Sequence, residues 1–242
     1  MVDVVIDIGN TQMKWGRCNP TGISAIARLD RDPESWQQQR DDWELRPGTE
    51  WWLASVNPSF TEPLIDWLTD QGDVVHRIDH FRQVPVIVDV EFPERVGIDR
   101  LMNAAALRSE LQPGQAVAIV DAGSAITVDW LTGDGRFLGG AILPGIGLMA
   151  RALHQYTAAL PLVTLHRAPP ANPGRNTVEA IERGLFFAAR SGIDALIRGY
   201  AQQAESPRVV WTGGYAPLLA QEGEIRPDLT LEGIRRVAEW NA

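Results

Sequence analysis

The residues best suited to chemistry lie in two glycine turns that each follow an acid. Within Ala116–Leu131, AVAIVDAGSAITVDWL, an apolar run over 116–120 reads as a buried strand and leads to Asp121. The small-residue turn Ala122-Gly123-Ser124-Ala125 follows, then a β-branched run over 126–131 that carries Asp129. Strand, acid, small turn and strand together suit a phosphate. Gly123 lets backbone approach an anion with no Cβ in the way, successive N–H groups in such a turn form an anion-binding concavity, and Ser124 adds a hydroxyl. The carboxylate of Asp121 repels a phosphate, so a cation or ordered water must lie between them. The N-terminal region repeats the design: an apolar run over 2–6, then Asp7-Ile8-Gly9-Asn10-Thr11, then residues 12–16. Asp7, Gly9 and Thr11 echo Asp121, Gly123 and Ala125, with Asn10 and Ser124 as the polar groups between. One such hairpin means little, because Asp and Gly are common turn residues. Two, each directly after an apolar strand, point to a duplicated domain whose halves hold the two ends of a polyphosphate.

Two further groups have chemical potential. Gly97-Ile98-Asp99-Arg100 precedes a run over 101–111 with alanines and leucines at helical spacing. Asp99 and Arg100 thus fall at a helix N-terminus, where the dipole favours an acid; they are either working groups or a plain helix-end acid with a solvated neighbour. Lys14 is the sole lysine among 22 basic residues and lies just after the first turn. A compact ammonium there suits a phosphate, and the alternative is a solvated hairpin lysine. His76 and His80 are four apart but fall on strand and loop rather than on one helix face. The tryptophans lack a stacking spacing and read as core or interface residues. Cys18, the single cysteine, leaves no internal disulfide and no multi-cysteine metal site, and fits a reducing compartment.

The elements that must position these residues follow in chain order. Residues 2–8, 13–17 and 23–29 read as three strands joined by tight turns. A helix over 33–42 is capped by Asp32 with Pro33 at its first position. Residues 51–56 are a strand, Ser59 caps a helix through Thr69, and 73–78 are a strand. Three strands, helix, strand, helix, strand is the order of a ribonuclease-H-like half. Residues 84–92 are extended and valine-rich. Pro113-Gly114 marks the boundary, giving halves 1–112 and 113–242. In the second half, 136–143 form a third strand in which Gly139-Gly140 signals close backbone approach, by a ligand or a packed strand. A helix over 146–159 and a proline-rich loop over 162–173 follow. A long helix over 176–200 is capped by Asn176 with Glu179 three residues on. Residues 208–211 are a strand before the glycine turn Thr212-Gly213-Gly214, and 227–231 are a last short strand before a final helix. The fold class expected is α/β, with two ribonuclease-H-like halves, each a mixed sheet flanked by helices.

Composition bounds the partners. A chain of 242 residues, 45% hydrophobic and 22% charged, is ordinary for a globular protein with a sizeable core. The formal net charge of −9, with no basic stripe, argues against a nucleic-acid surface. No apolar run is long enough to span a bilayer. The N-terminal stretch lacks the basic and apolar regions of a signal peptide, so a cytoplasmic location with no membrane partner is expected.

With these motifs in hand, the chain resembles a type III pantothenate kinase, of the acetate kinase, sugar kinase, Hsp70 and actin superfamily. The resemblance covers nearly the whole length. It rests on Asp7-Ile8-Gly9-Asn10-Thr11, Gly97-Ile98-Asp99-Arg100, the run 121–129, the run 139–145, the run 157–161 and Gly174-Arg175-Asn176-Thr177, in that order and spacing. It implies ATP-dependent phosphorylation of pantothenate to 4'-phosphopantothenate, the first step of coenzyme A synthesis. It also implies roles. Asp7, Ile8, Gly9, Asn10, Thr11, Gln12, Met13 and Lys14 form the first phosphate loop, and Ser124 contacts ATP. Gly97, Ile98, Asp99 and Arg100 line the pantothenate site, with Asp99 as general base and Arg100 near the substrate carboxylate. Asp121 holds a monovalent cation, potassium or ammonium, and Mg2+ accompanies ATP. Thr177 contacts pantothenate, reaching the site of the other protomer in a homodimer. Two positions depart from the family pattern. Ser124 stands where threonine is usual, which keeps the hydroxyl. Val90 stands where a tyrosine often lines the substrate pocket, which puts the pocket's shape at issue. The alternatives are a nucleotide-binding regulatory or accessory protein without turnover, and a kinase for another small hydroxyl substrate.

Overall fold

The structure, a computed structural model, describes residues 2–202 and 207–241. They form two compact units: the chain up to Glu110 together with the segment from Asp228, and Leu111–Pro227.

The first unit holds β1 (Val4–Ile8), β2 (Met13–Asn19), β3 (Gly22–Leu29), α1 (Pro33–Asp42), β4 (Glu50–Ser55), α2 (Pro58–Asp70), β5 (Val74–Ile78), a short strand β6 (Ile87–Val88) and α3 (Ile98–Leu107). Its sheet runs β3-β2-β1-β4-β5. β1 pairs antiparallel with β2 and parallel with β4, which pairs parallel with β5. The second unit holds β7 (Val117–Ala122), β8 (Ala125–Leu131), β9 (Arg136–Pro144), α4 (Ile146–Gln155), α5 (Thr177–Ala201), β10 (Arg208–Thr212), α6 (Ala216–Leu219) and β11 (Glu224–Ile225). Its strands lie in the order β9-β8-β7-β10-β11. The first three are antiparallel, and β10 is parallel to β7 and to β11. Over these five strands each, the two units therefore share one strand order and one set of directions, which is the duplication read from the paired turns.

Local signals act as expected in several places. The Asp32 side chain accepts from the Ser35 N–H at 2.9 Å at the start of α1, with Pro33 in the first turn. Asn176 Oδ1 accepts from the Glu179 N–H at 2.9 Å at the start of α5, and the Asn176 side-chain amide donates to Glu179 Oε1 at 3.0 Å. Elsewhere the structure corrects the reading. α2 begins at Pro58, so Ser59 lies inside the helix and caps nothing. Of the extended stretch 84–92 only Ile87–Val88 is a strand, and 3-10 turns flank it at Phe81–Gln83 and Pro93–Arg95. The helix expected at 101–111 runs from Ile98 to Leu107, and the one expected to reach Ala159 ends at Gln155.

The larger correction concerns the chain's last helix. Residues 229–231 are not a strand; they are the first turn of α7 (Leu229–Asn241), and the short strand lies earlier, at Glu224–Ile225. α7 belongs to the first unit, although the reading by chain order placed it in the second half. Its apolar side, with Leu229, Leu231, Ile234 and Val237, is fully buried. A Cβ at Gly233 would stand 1.8 Å from the Met102 carbonyl oxygen of α3, so only glycine allows the two helices to meet there. The Thr230 hydroxyl donates to Asn103 Oδ1 at 2.9 Å across the same contact.

The other face of the first sheet is built on tryptophan. Trp15 meets Trp51 edge-on at 4.8 Å and Trp43 at 6.4 Å, so residues without a stacking spacing still converge in space. Beside them Arg40 of α1 makes a buried two-pronged ion pair with Asp73, whose carboxylate also accepts from Trp51 Nε1 at 2.9 Å and the Thr49 N–H at 3.2 Å. Four donors on one carboxylate make that burial tolerable. The second unit packs Val120, Ile126, Val128, Leu185, Phe186, Ile193 and Trp211 into its core. No helix among the described residues is long and apolar enough to cross a membrane.

Candidate active site

In the first unit the β1–β2 hairpin carries the turn 9–12, closed by the Ile8–Met13 pair below it. The Gly9 N–H donates to the Gln12 carbonyl at 3.0 Å, and Asn10, Thr11 and Gln12 are exposed. The sheet register then aligns charge. Asp7 is the cross-strand partner of Lys14, and Lys14 that of Arg28, so three charged side chains cross β1, β2 and β3 on one face. Asp228, just before α7, approaches this row: its Oδ1 is 3.5 Å from Lys14 Nζ and 3.8 Å from the Arg28 guanidinium. The Lys14 side chain is only 16% exposed. It is therefore not a solvated hairpin lysine. It is an ammonium held in the sheet face beside the first turn.

Asp99 lies in the first turn of α3. Its Oδ1 accepts from the Arg100 N–H at 2.9 Å. A Cβ on Gly97 would stand 2.6 Å from that same oxygen, so the carboxylate folds back into space that only glycine leaves. Burial pushes the Asp99 carboxyl above the ordinary aspartate range, and the Arg100 N–H and guanidinium oppose that shift without cancelling it. A desolvated, more basic carboxylate at a helix start is able to take a proton from a hydroxyl brought next to it.

In the second unit Asp121 is not the residue after a strand, as the sequence suggests. It is the fifth residue of β7, which continues to Ala122. The turn is thus shorter, Gly123-Ser124, with the Gly123 N–H bonded to the Ala125 carbonyl at 3.0 Å. Asp121 pairs in register with Thr127 of β8 and Thr212 of β10. Gly213 has φ +86°, and a Cβ there would stand 2.6 Å from Asp121 Oδ1. The Tyr215 N–H ties this glycine turn to the Ala122 carbonyl at 2.9 Å. The third glycine turn therefore borders the Asp121 carboxylate, a link the sequence leaves open. The Thr127 hydroxyl on the same sheet face is buried with no hydrogen-bond partner among the described residues. Ser124 is exposed. So is Thr177, the first residue of α5. Gly140, by contrast, faces a packed strand: a Cβ there would stand 2.0 Å from the Val128 carbonyl oxygen.

Within the first unit the structure brings Asp7 together with Lys14, and within the second Asp121 together with Ser124's turn and Gly213. Arg28, Asp228 and Thr127 are additions. The signal for Arg28 was the hairpin register, but a bulge between Arg17 and Cys18 shifts the outer pairing by one and hides it. His76 stacks on Trp52 at 4.4 Å and lies 3.6 Å from Glu50, and His80 caps the 3-10 turn after β5.

Comparison with known proteins adds identity to this geometry. A family model described as type III pantothenate kinase matches residues 4–199. A relative of that name from Dehalococcoides mccartyi is 42% identical over 161 residues, 64% of this chain and 61% of its own. Against two further Dehalococcoides mccartyi relatives the match spans 66% of their length, so the chain covers less than two thirds of these three proteins. A type III pantothenate kinase from Pelobacter propionicus is 30% identical over 258 aligned positions, covering 98% of this chain and 99% of that one. Among solved structures, a conserved Baf-family protein from Campylobacter jejuni superposes with a TM-score of 0.63 at 21% identity, over 98% of both chains, a likeness of fold. With a family model across most of its length and a relative aligned end to end, the chain belongs to the type III pantothenate kinase family.

Proposed function

We propose that the protein transfers the γ-phosphoryl group of ATP to pantothenate. The observation that carries this reading is Asp99: a half-buried carboxylate with raised proton affinity, folded over Gly97 at the start of α3. The 4'-hydroxyl oxygen attacks the γ-phosphorus, the bond from that phosphorus to the β–γ bridging oxygen breaks, ADP leaves, and Asp99 accepts the hydroxyl proton. Such a transfer asks the protein mainly for positioning and charge neutralisation. Asp7 through Lys14 hold the phosphates from the first unit. Lys14 brings a positive charge already oriented by Asp228. Ser124 contributes its hydroxyl from the second unit. Gly97, Ile98 and Arg100 receive pantothenate, with the Arg100 guanidinium for its carboxylate, and Thr177 bonds the substrate across a homodimer. Exposed Val178, beside Thr177, and exposed Ile142, Leu148 and Tyr156 supply apolar surface for such an association.

Asp121 holds a monovalent cation. The donors around it are oxygens, a carboxylate between two glycine turns and the unpartnered Thr127 hydroxyl, which suit a hard ion such as potassium or ammonium. Mg2+ bound with ATP supplies charge neutralisation on the phosphates.

A coupled ADP-release assay with pantothenate, against a panel of small alcohols and sugars, tests the proposal. Turnover with pantothenate alone is expected. Turnover with another acceptor would reassign the substrate, as the Val90 departure allows, and nucleotide binding with no turnover on any acceptor would favour a regulatory protein. In enzyme prepared in a bulky organic-cation buffer, titrated potassium should raise the rate or lower the KM for ATP. Indifference to potassium, ammonium and sodium would remove this role from Asp121.

A further inference from the structure

From the geometry of the 9–12 turn we infer that Arg31 is a positioning residue for the nucleotide phosphates, fixing the Gly9–Asn10 peptide so that its N–H faces the anion. The inference rests on the reading of that turn as a phosphate loop.

Arg31 lies between β3 and α1 and is half-buried. Its Nη2 donates to the Gly9 carbonyl oxygen at 3.0 Å. The guanidinium carbon stands 3.9 Å from the centroid of the Phe60 ring in α2. The cation is thus clamped between an aromatic face and one backbone carbonyl. A planar trans peptide points its C=O and its N–H in opposite directions, and all peptides described here are trans. Holding the Gly9 carbonyl on Arg31 therefore aims the Asn10 N–H the other way, on the far side of the peptide from the cation. The charge on the carbonyl also polarises the peptide and strengthens that N–H as a donor.

The other bonds of the turn act elsewhere. The Gly9 N–H bonds the Gln12 carbonyl at 3.0 Å, and the Val56 N–H bonds the Ile8 carbonyl at 3.2 Å. Both groups at residues 8 and 9 belong to the Ile8–Gly9 peptide, one link before the one in question. Glycine offers little resistance to rotation of the peptide after it. A flipped Gly9–Asn10 peptide would present its carbonyl dipole to a phosphate and repel it. Arg31 opposes that flip. Its charge sits behind the peptide, so its part is to hold the loop and not to grip the anion.

The test is Arg31→Ala, with Arg31→Lys and Phe60→Leu as milder variants that keep the question open to measurement if the alanine variant folds poorly. Lysine keeps the charge but loses the planar stack on Phe60. Arg31→Ala is expected to raise the KM for ATP, and the dissociation constant of ADP by calorimetry, by about tenfold or more, with the KM for pantothenate unchanged. Millimolar guanidinium chloride should restore much of the loss, and equal sodium chloride should not. Phe60→Leu should move ATP binding in the same direction by less. Unchanged nucleotide binding in Arg31→Ala, or a loss that guanidinium leaves untouched while the pantothenate KM rises in parallel, would overturn the inference. Because ADP binding is read without an acceptor, failure of pantothenate turnover leaves this comparison intact. A wild-type protein that binds no nucleotide would overturn both readings.

Discussion

Asp99 joins two consequences that pull in opposite directions. Burial raises its proton affinity, which helps it take a proton from a hydroxyl, and the same burial makes the ionised form costly in the folded state. The sign follows from linkage: a carboxyl whose folded pKa exceeds its unfolded value contributes stability below the unfolded value, and that contribution is lost as pH rises through the folded one. Above the ordinary aspartate range, carrying that charge is therefore a net burden on the fold. Asp99→Asn should cut turnover by ~10²-fold or more, the usual scale for a positioned base, leave ADP affinity nearly unchanged, and raise the melting temperature at pH 7. The thermal gain should shrink as pH is lowered towards the ordinary aspartate range. A variant that turns over like wild type would make Asp99 a plain helix-end acid; one that is inactive but no more stable would contradict the desolvation argument.

At the scale of elements, α3 and α7 act as one piece. Gly233 lets α7 meet α3 at the Met102 carbonyl, and α3 carries Asp99 in its first turn. Gly233→Ala should force the helices apart, costing about 1–3 kcal/mol as overpacked contacts do, and lower the melting temperature by several degrees. Turnover at permissive temperature should fall more than ADP affinity, since the 9–12 turn lies on the β1–β2 hairpin. Unaltered stability would mean that the helices give way easily. The same elements show where sequence patterns speak and where they are silent. Caps such as Asp32 and Asn176 were legible because a cap is a local hydrogen bond between residues three apart. So were the paired glycine turns, since each is one hairpin. The row Asp7, Lys14, Arg28 was not, because it depends on register across three strands and a bulge. Asp228 was not, because nothing local says that a helix following the second sheet returns to the first. The stretch 84–92 misled for a different reason: valines favour extended backbone whether or not a partner strand is present.

At the scale of the whole molecule, the two sheets repeat one topology while the proposed catalytic groups are not repeated. Asp99 belongs to the first unit and Thr177 to the second. If Thr177 serves the Asp99 of a partner chain, two inactive variants should restore each other. In a heterodimer of an Asp99→Asn chain with a Thr177→Ala chain, one site carries both lesions and the other carries neither. Mixing the variants after mild dissociation should return up to about half of wild-type activity per heterodimer, because one of two sites is rebuilt. No rescue, with the heterodimer confirmed by native mass spectrometry, would assign Thr177 to its own chain's site or to none.

The return of α7 to the first unit also has a consequence for how the protein is made. Translation proceeds from the N-terminus, and nascent domains generally fold as they emerge from the ribosome. The second unit is one contiguous stretch, Leu111–Pro227, and has all its strands as soon as that stretch is out. The first unit, begun earlier, must wait for residues synthesised after the second is complete. Until then Met102, Asn103 and the rest of α3's α7-facing surface stay uncovered, a hydrophobic face open to chaperones or to a neighbouring nascent chain. The helix that carries Asp99 is among the earlier parts to be synthesised and among the last to be enclosed.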